Sequence, residues 1–188
     1  MSSTLKIAVR YTLVTTVLLG IVYPLVVTAL AQLTMKTNAN GQLIVRDGRV
    51  IGSAIIGQGF ASDRYFHSRL SANNYAADNS GGSNLAPSNK ALVSRVDADV
   101  AAWQKKNPGQ PVPIGLVTTS ASGLDPEISP ADALYQVPIV AAGRHLSEST
   151  VHALVESHIE GRQLGFLGEP RVNVLQLNLA LDDLSSRH

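Results

Sequence analysis

Five histidines, one serine-rich turn and two glycine-rich runs are the parts of this sequence whose residue types could do chemistry. His67, His145, His152, His158 and His188 could move protons or ligate a metal, but none shows metal-ligand spacing. His152 and His158 stand six residues apart, which puts them on different faces of a helix. Ser120-Ala121-Ser122-Gly123 offers hydroxyls without a nearby basic partner, and hydroxyls in such runs more often bond backbone turns. No G-x-S-x-G elbow and no G-x-x-x-x-G-K-[ST] phosphate loop occurs. Gly57-x-Gly59-x-x-Ser62 is a broken dinucleotide pattern with no helix signal behind it. Ser80-Gly81-Gly82-Ser83-Asn84 precedes a helix, and its amides could hold an anion or bond the domain's own loops. There is no cysteine, so disulfides, thiolate metal sites and Cys nucleophiles are excluded. The sequence therefore predicts no catalytic, cofactor-binding or metal-binding residues.

The charge pattern points elsewhere. Lys and Arg number 15 against 14 Asp and Glu, for a net charge of +1, too even a balance for nucleic acid to be the main partner. Charged residues make up 15% of the chain, against the roughly 25% usual in soluble domains. Much of the deficit lies between Tyr11 and Met35, where about 25 consecutive residues carry no charge; about 20 suffice to cross a bilayer as helix. Ala29-Leu30-Ala31 would suit signal-peptide cleavage, but the apolar run exceeds the roughly 7–15 residues of a signal core. An uncleaved anchor is expected. Lys6 and Arg10 favour a cytoplasmic N-terminus, while Lys36, Arg46 and Arg49 follow closely on the other side.

Within the span, Thr12, Thr16, Gly20, Pro24 and Thr28 recur every four residues. On a helix such residues lie close together, drifting by about 40° per step. Small and weakly polar residues on one face let a partner helix approach closely, although threonines in membrane helices also bond back to their own carbonyls. Pro24 is expected to kink the helix against the carbonyl of Gly20.

After the span the pattern reads as a single α+β domain. Gln42–Arg46 and Arg49–Ser53 are β-prone runs around Asp47-Gly48, a type I′ hairpin signal, with Ile55-Ile56 extending the second strand. Residues 78–84 form a loop. Ser88 or Asn89 caps a helix with Leu92, Val96, Val100 and Trp103 on one face, ended by Asn107-Pro108-Gly109. Residues 112–118 read as an edge strand containing Pro113. Ser129-Pro130-Ala131-Asp132 starts a helix that Pro138 should interrupt. Ser147 caps another, with Leu146 stapling onto Val151, a stripe of Val151, Leu154, Val155 and Ile159, and Gly161 as its stop. A short strand at 172–174 should lead into a helix capped by Asn173, with Val174, Leu177, Leu181 and Leu184 inward.

Several long segments in order carry a resemblance. They are Tyr23-Pro24-Leu25, Gly52-Ser53-Ala54 with Ile56-Gly57-Gln58, Tyr65-Phe66-His67-x-Arg69-x-Ser71-Ala72, and Ser80-Gly81-Gly82-Ser83-Asn84-Leu85-Ala86-x-Ser88-Asn89. Ser120-Ala121-Ser122-Gly123-Leu124-Asp125-Pro126, Gly165-x-x-Gly168-Glu169-Pro170-x-Val172-Asn173 and Leu177-Asn178-Leu179-Ala180-Leu181-Asp182 complete them. Over nearly its whole length the chain resembles the C subunit of the bacterial high-affinity potassium-transporting P-type ATPase, the Kdp system. It departs at Pro138-Ile139, where members usually carry Pro-Arg, and at Arg69-Leu70, where they carry Arg-Pro, which should loosen a turn.

The resemblance implies a non-catalytic subunit that assembles and stabilises an ATP-driven potassium-uptake complex. Its partners would be a channel-like potassium-translocating subunit, a P-type ATPase subunit and a small stabilising subunit. ATP, Mg and K would belong to those partners, and no cofactor to this chain. The Asp-Lys-Thr-Gly-Thr phosphorylation motif is absent, so this chain cannot form the aspartyl-phosphate. A catalytic-chaperone role, raising the ATPase subunit's affinity for ATP, is also implied, although ATP is cytoplasmic and the domain is expected outside. The expected organisation is a cytoplasmic N-terminus over residues 1–10, a transmembrane helix over 11–35 and a periplasmic α+β domain over 36–188, in the inner membrane. The competing reading is a membrane-anchored hydrolase or small-ligand binding protein, which would need a deep pocket with converging perturbed groups.

Overall fold

The computed structural model describes residues 2–185. The chain divides into two units, residues 1–44 and 45–188. In the first, helix runs from Ser3 to Thr34, long and apolar enough to cross a membrane. It comprises α1 (Ser3–Val17), a π turn (Leu18–Val22) and α2 (Tyr23–Thr34), with Ser2 accepting from the amide of Leu5 at its start. A single further turn, α3 (Lys36–Ala39), follows. The π turn is how the helix accommodates Pro24. Tyr23 N–H reaches back five residues to the Leu18 carbonyl, which widens the backbone where the proline ring would crowd the Gly20 carbonyl. What the helix shows around Gly20 is this widened turn.

The second unit mixes helices and short strands, the expected α+β class. Leu43–Arg46 (β1) and Arg49–Ser53 (β2) pair across Asp47 (φ 51°) and Gly48 (φ 74°), both left-handed as a type I′ turn requires. Ile55-Ile56 does not extend β2. The chain folds back at once, the Ile56 amide donating to the Ser53 carbonyl at 3.3 Å. The long stretch from Ile56 to Asn89 has no regular helix or strand.

Asn89 then caps α4 (Lys90–Lys106), accepting from the Ala91 amide. Its apolar face is half-buried throughout and nowhere fully buried. Residues 112–118 are not a strand. Pro113 is extended (φ −63°, ψ 143°), and Ile114–Leu116 then coil into a 3₁₀ turn closed by Thr118, whose amide and hydroxyl both donate to the Ile114 carbonyl. Tertiary packing decides the conformation: Gly115 lies so close to the Asp132 carboxylate that a Cβ there would fall 2.1 Å from Oδ2.

Helix α5 (Pro130–Arg144) begins with the expected capping box, Ser129 and Asp132 each bonding the other's amide. It also runs straight through Pro138, against expectation. A proline inside a helix costs about 3 kcal/mol. Burying a Val side chain contributes about 1.5–3 kcal/mol, and α5 buries Val137 and Val140 together with Ala133 and Ala141. That face outweighs one lost bond.

Helix α6 (Glu148–Ser157) is capped by Ser147 as expected, and Leu146 packs on the same core as Val151. It stops at His158, before Gly161. Ile159–Glu160 (β4) leaves the helix to pair with Arg171–Asn173 (β5), so Ile159 reaches the core from a strand. Glu127–Ile128 (β3) pairs antiparallel with the other edge of β5, giving the order β3-β5-β4. The Asn173 side chain accepts from the Gln176 amide and so caps α7 (Val174–Ser185). Val174, Leu177 and Leu181 are fully buried, and one core cluster joins them to Phe66, Val151, Val155, Val172 and the inward face of α5.

Candidate functional site

The five residues of the small-residue stripe, Thr12, Thr16, Gly20, Pro24 and Thr28, are all exposed. The back-bonding threonines are others: Thr15 donates to the Tyr11 carbonyl at 2.8 Å and Thr34 to Leu30 at 2.7 Å. In an unbroken α-helix the stripe would drift through about 160° between Thr12 and Thr28. The π turn adds one residue between its two halves and so takes back about 100°. The five residues then lie within about 80°, a single face. A Cβ on Gly20 would touch only Thr16 Cγ2, at 4.0 Å, so the helix itself leaves that face open.

The chemically suggestive motifs of the second unit are engaged with one another. Gly57 donates its amide to the Leu124 carbonyl at 2.8 Å, and a Cβ there would meet the Asp125 carbonyl oxygen at 2.5 Å. Gly59 lies against the Tyr75 ring. Gly81 N–H and the Ser80 hydroxyl both donate to the Ser122 carbonyl, at 2.8 and 3.0 Å. Ser120 and Ser122 hydroxyls accept from the amides of Gly123 and Leu124, both at 3.1 Å. The broken dinucleotide pattern, the Gly-rich turn and the serine-rich turn are thus parts of one stitched loop cluster. Leu70 joins it, pairing with Thr119 and accepting from the Ser120 amide at 2.8 Å, so the turn expected to loosen is held.

Two side-chain amides fix the motif around Phe66 and His67. Asn178 of α7 accepts from the Phe66 amide at 2.8 Å and donates to the Phe66 carbonyl at 2.9 Å. Gln136 of α5 does the same for His67, at 2.8 and 3.2 Å. An irregular, buried segment therefore keeps its backbone bonds without belonging to a sheet. Arg144, its side chain almost fully buried, donates to the Arg64 carbonyl at 2.7 Å, pairs with Asp182 at 2.6 Å and stacks on Tyr65. Nothing local to Asn178 or Gln136 signals these clamps, whose partners lie 112 and 69 residues away in the sequence.

The described histidines do not converge. Among the described residues no three His, Asp or Glu side chains group to hold a metal. His145 ends α5 in the left-handed region (φ 59°), His158 contacts the Leu154 carbonyl at 2.8 Å, and His152 faces Glu156 at 3.6 Å. His188 lies outside the described residues. His67 packs edge-on against Trp103; burial, then the charge of Lys106, lowers its pKa below the ordinary 6.5, against the opposing pull of Asp63.

One cleft, of about 570 Å³, lies between the 3₁₀ turn, the start of α5 and the approach to β5. The register of the sheet sets its charges. Arg171 on β5 reaches Glu127 on β3 at 2.8 Å and Glu160 on β4 at 2.9 Å. Glu127 nevertheless has a raised pKa, because desolvation outweighs the nearby guanidinium. Arg69 pairs with Asp125 at 3.3 Å.

Ser157 Oγ and His158 Nδ1 meet at 3.1 Å, but outside the cleft lining, and the motif residues of the loop cluster and the two clamps act on backbone. The family model described as K+-transporting ATPase, c chain, matches residues 5–183. The chain belongs to the KdpC family. It is 57% identical to the potassium-transporting ATPase KdpC subunit of Koribacter versatilis, over 97% of this chain and 95% of that one. The corresponding KdpC subunits of Acidobacterium capsulatum and Methylobacterium nodulans are 53% and 50% identical, over 96% and 98% of this chain. KdpC membership makes the chain a subunit of a potassium-transporting ATPase, with partner subunits implied.

Proposed function

We propose that this chain is a non-catalytic subunit that assembles and stabilises the potassium-uptake complex. The observation that carries the reading is a division of labour. The motif residues that could have done chemistry bond the domain's own backbone, whereas the π turn gathers the small residues of the apolar helix on one face. ATP, Mg and K are assigned to the partners: the channel-like subunit, the P-type ATPase subunit and the small stabilising subunit. Purified in mild detergent from cells producing the whole complex, the tagged chain is expected to bring down the potassium-translocating and ATPase subunits. Recovery of the chain alone would overturn the reading.

The proposed organisation keeps residues 1–10 cytoplasmic, 11–35 in the inner membrane and 36–188 in the periplasm. With the domain there, any rise in the ATPase subunit's affinity for ATP would be transmitted through partner subunits rather than by contact with nucleotide. The chain has no cysteine, so single cysteines report topology cleanly. In intact spheroplasts a cysteine at Ser80 should react with a membrane-impermeant maleimide, and one at Ser3 should not. The opposite labelling pattern would place the domain in the cytoplasm and reopen direct contact with ATP.

A further inference from the structure

Resting on the subunit reading, the cleft at the start of α5 supports one further step. Its lining carries four carboxylates, Asp125, Glu127, Asp132 and Glu169, against two guanidinium groups, Arg69 and Arg171. Asp125 is paired with Arg69, Glu127 with Arg171, and Glu169 with Arg162. Asp132 stands apart. Its side chain is buried, with the residue 3% exposed; Oδ2 takes the amide and hydroxyl of Ser129, and Oδ1 has no hydrogen-bond partner at all. No cation among the described residues forms an ion pair with it. The N-terminus of α5 and the Ser129 bonds offset its charge in part. The remainder acts through a poorly screened interior, where a charge is felt more strongly than in water. The cleft wall also carries Ile114, which is 77% exposed, a large apolar side chain left in solvent at the edge of an acidic hollow.

We infer that this cleft is a docking surface for a basic loop of another subunit of the complex, with a lysine or arginine side chain entering toward Asp132 and apolar residues beside it covering Ile114. Charge complementarity selects the occupant: the hollow holds an excess of carboxylates, one of them without a counter-charge. An acidic loop or an anionic lipid headgroup would add to that excess.

Ile114 gives a test that leaves the fold alone, because its side chain is exposed. Ile114→Lys and Ile114→Glu remove the same apolar surface and differ in the sign of charge at the rim. Each full-length variant is purified with its complex and washed through a salt series, and the retained partner subunits are quantified. Ile114→Lys is expected to retain about fivefold less partner than Ile114→Glu at moderate salt, with the gap closing at high salt. Asp132→Asn, which keeps an acceptor for the cap but removes the charge, should shift retention in the same direction as Ile114→Lys. Equal retention by the Lys and Glu variants, or better retention by Lys, would overturn the inference while leaving the subunit reading intact. Failure of the unaltered chain to retain any partner would instead overturn the subunit reading.

Discussion

Asn178→Leu is expected to destabilise the α+β domain by about 2–6 kcal/mol, more than removing one hydrogen bond would. The substitution is close to isosteric and places an apolar side chain in an apolar core, so packing alone predicts little change. What it removes is the pair of bonds that satisfies the Phe66 backbone, at 2.8 and 2.9 Å. Phe66 is fully buried and lies in the long irregular segment, so no strand stands ready to take over its amide and carbonyl. Two buried backbone groups left unpaired cost about 1–3 kcal/mol each. Chemical denaturation in detergent, followed by the single tryptophan, Trp103, would measure the loss in the full chain. Gln176→Leu is the control: that side chain is exposed, and its substitution should stay within about 0.5 kcal/mol. If Asn178→Leu also stays within that range, the clamp is not what holds the segment.

The same clamp explains where sequence reasoning succeeds in this domain and where it stops. Elements fixed by local chemistry were legible. The I′ turn at Asp47-Gly48, the Asn89 cap, the Ser129–Asp132 box and the Asn173 cap all depend on residues within a few positions of one another. Elements decided at long range were not. Ile159 and Glu160 continue a helical pattern, yet the free edge of β5 recruits them as strand. Residues 112–118 have strand composition, yet Gly115 must fit over the Asp132 carboxylate, and a turn does this. Pro138 reads as a helix breaker, yet the buried face of α5 overrides it. The site followed the same division. The motif segments announced themselves as unusual, but that Gly57 meets Leu124 and Gly81 meets Ser122 depends on contacts more than forty residues apart. The charge imbalance of the cleft likewise arises only when β3, β5 and the start of α5 come together.

Gly20→Leu is expected to reduce co-purification of partner subunits by about tenfold, equivalent to about 1.4 kcal/mol, whereas Leu19→Ile should leave it unchanged. Within this chain a Cβ on Gly20 reaches only Thr16 Cγ2 at 4.0 Å, so the leucine does not strain its own helix. It would instead fill the groove into which another helix packs, where small residues allow backbones to approach. Leu19 is 62% exposed on a neighbouring face, and its isomerisation changes shape without closing the stripe. Pro24→Ala separates the stripe from its composition, since alanine is also small. With a donor restored at position 24, the reason for the π turn is removed, and the helix can return to α geometry. Thr28 would then rotate by about 100° relative to Thr12, splitting one face into two. Pro24→Ala should therefore weaken co-purification nearly as much as Gly20→Leu, although it adds no bulk. If Gly20→Leu and Pro24→Ala both retain the partners as well as Leu19→Ile does, the four-residue spacing reflects composition alone, and assembly must be carried by other surfaces of the chain.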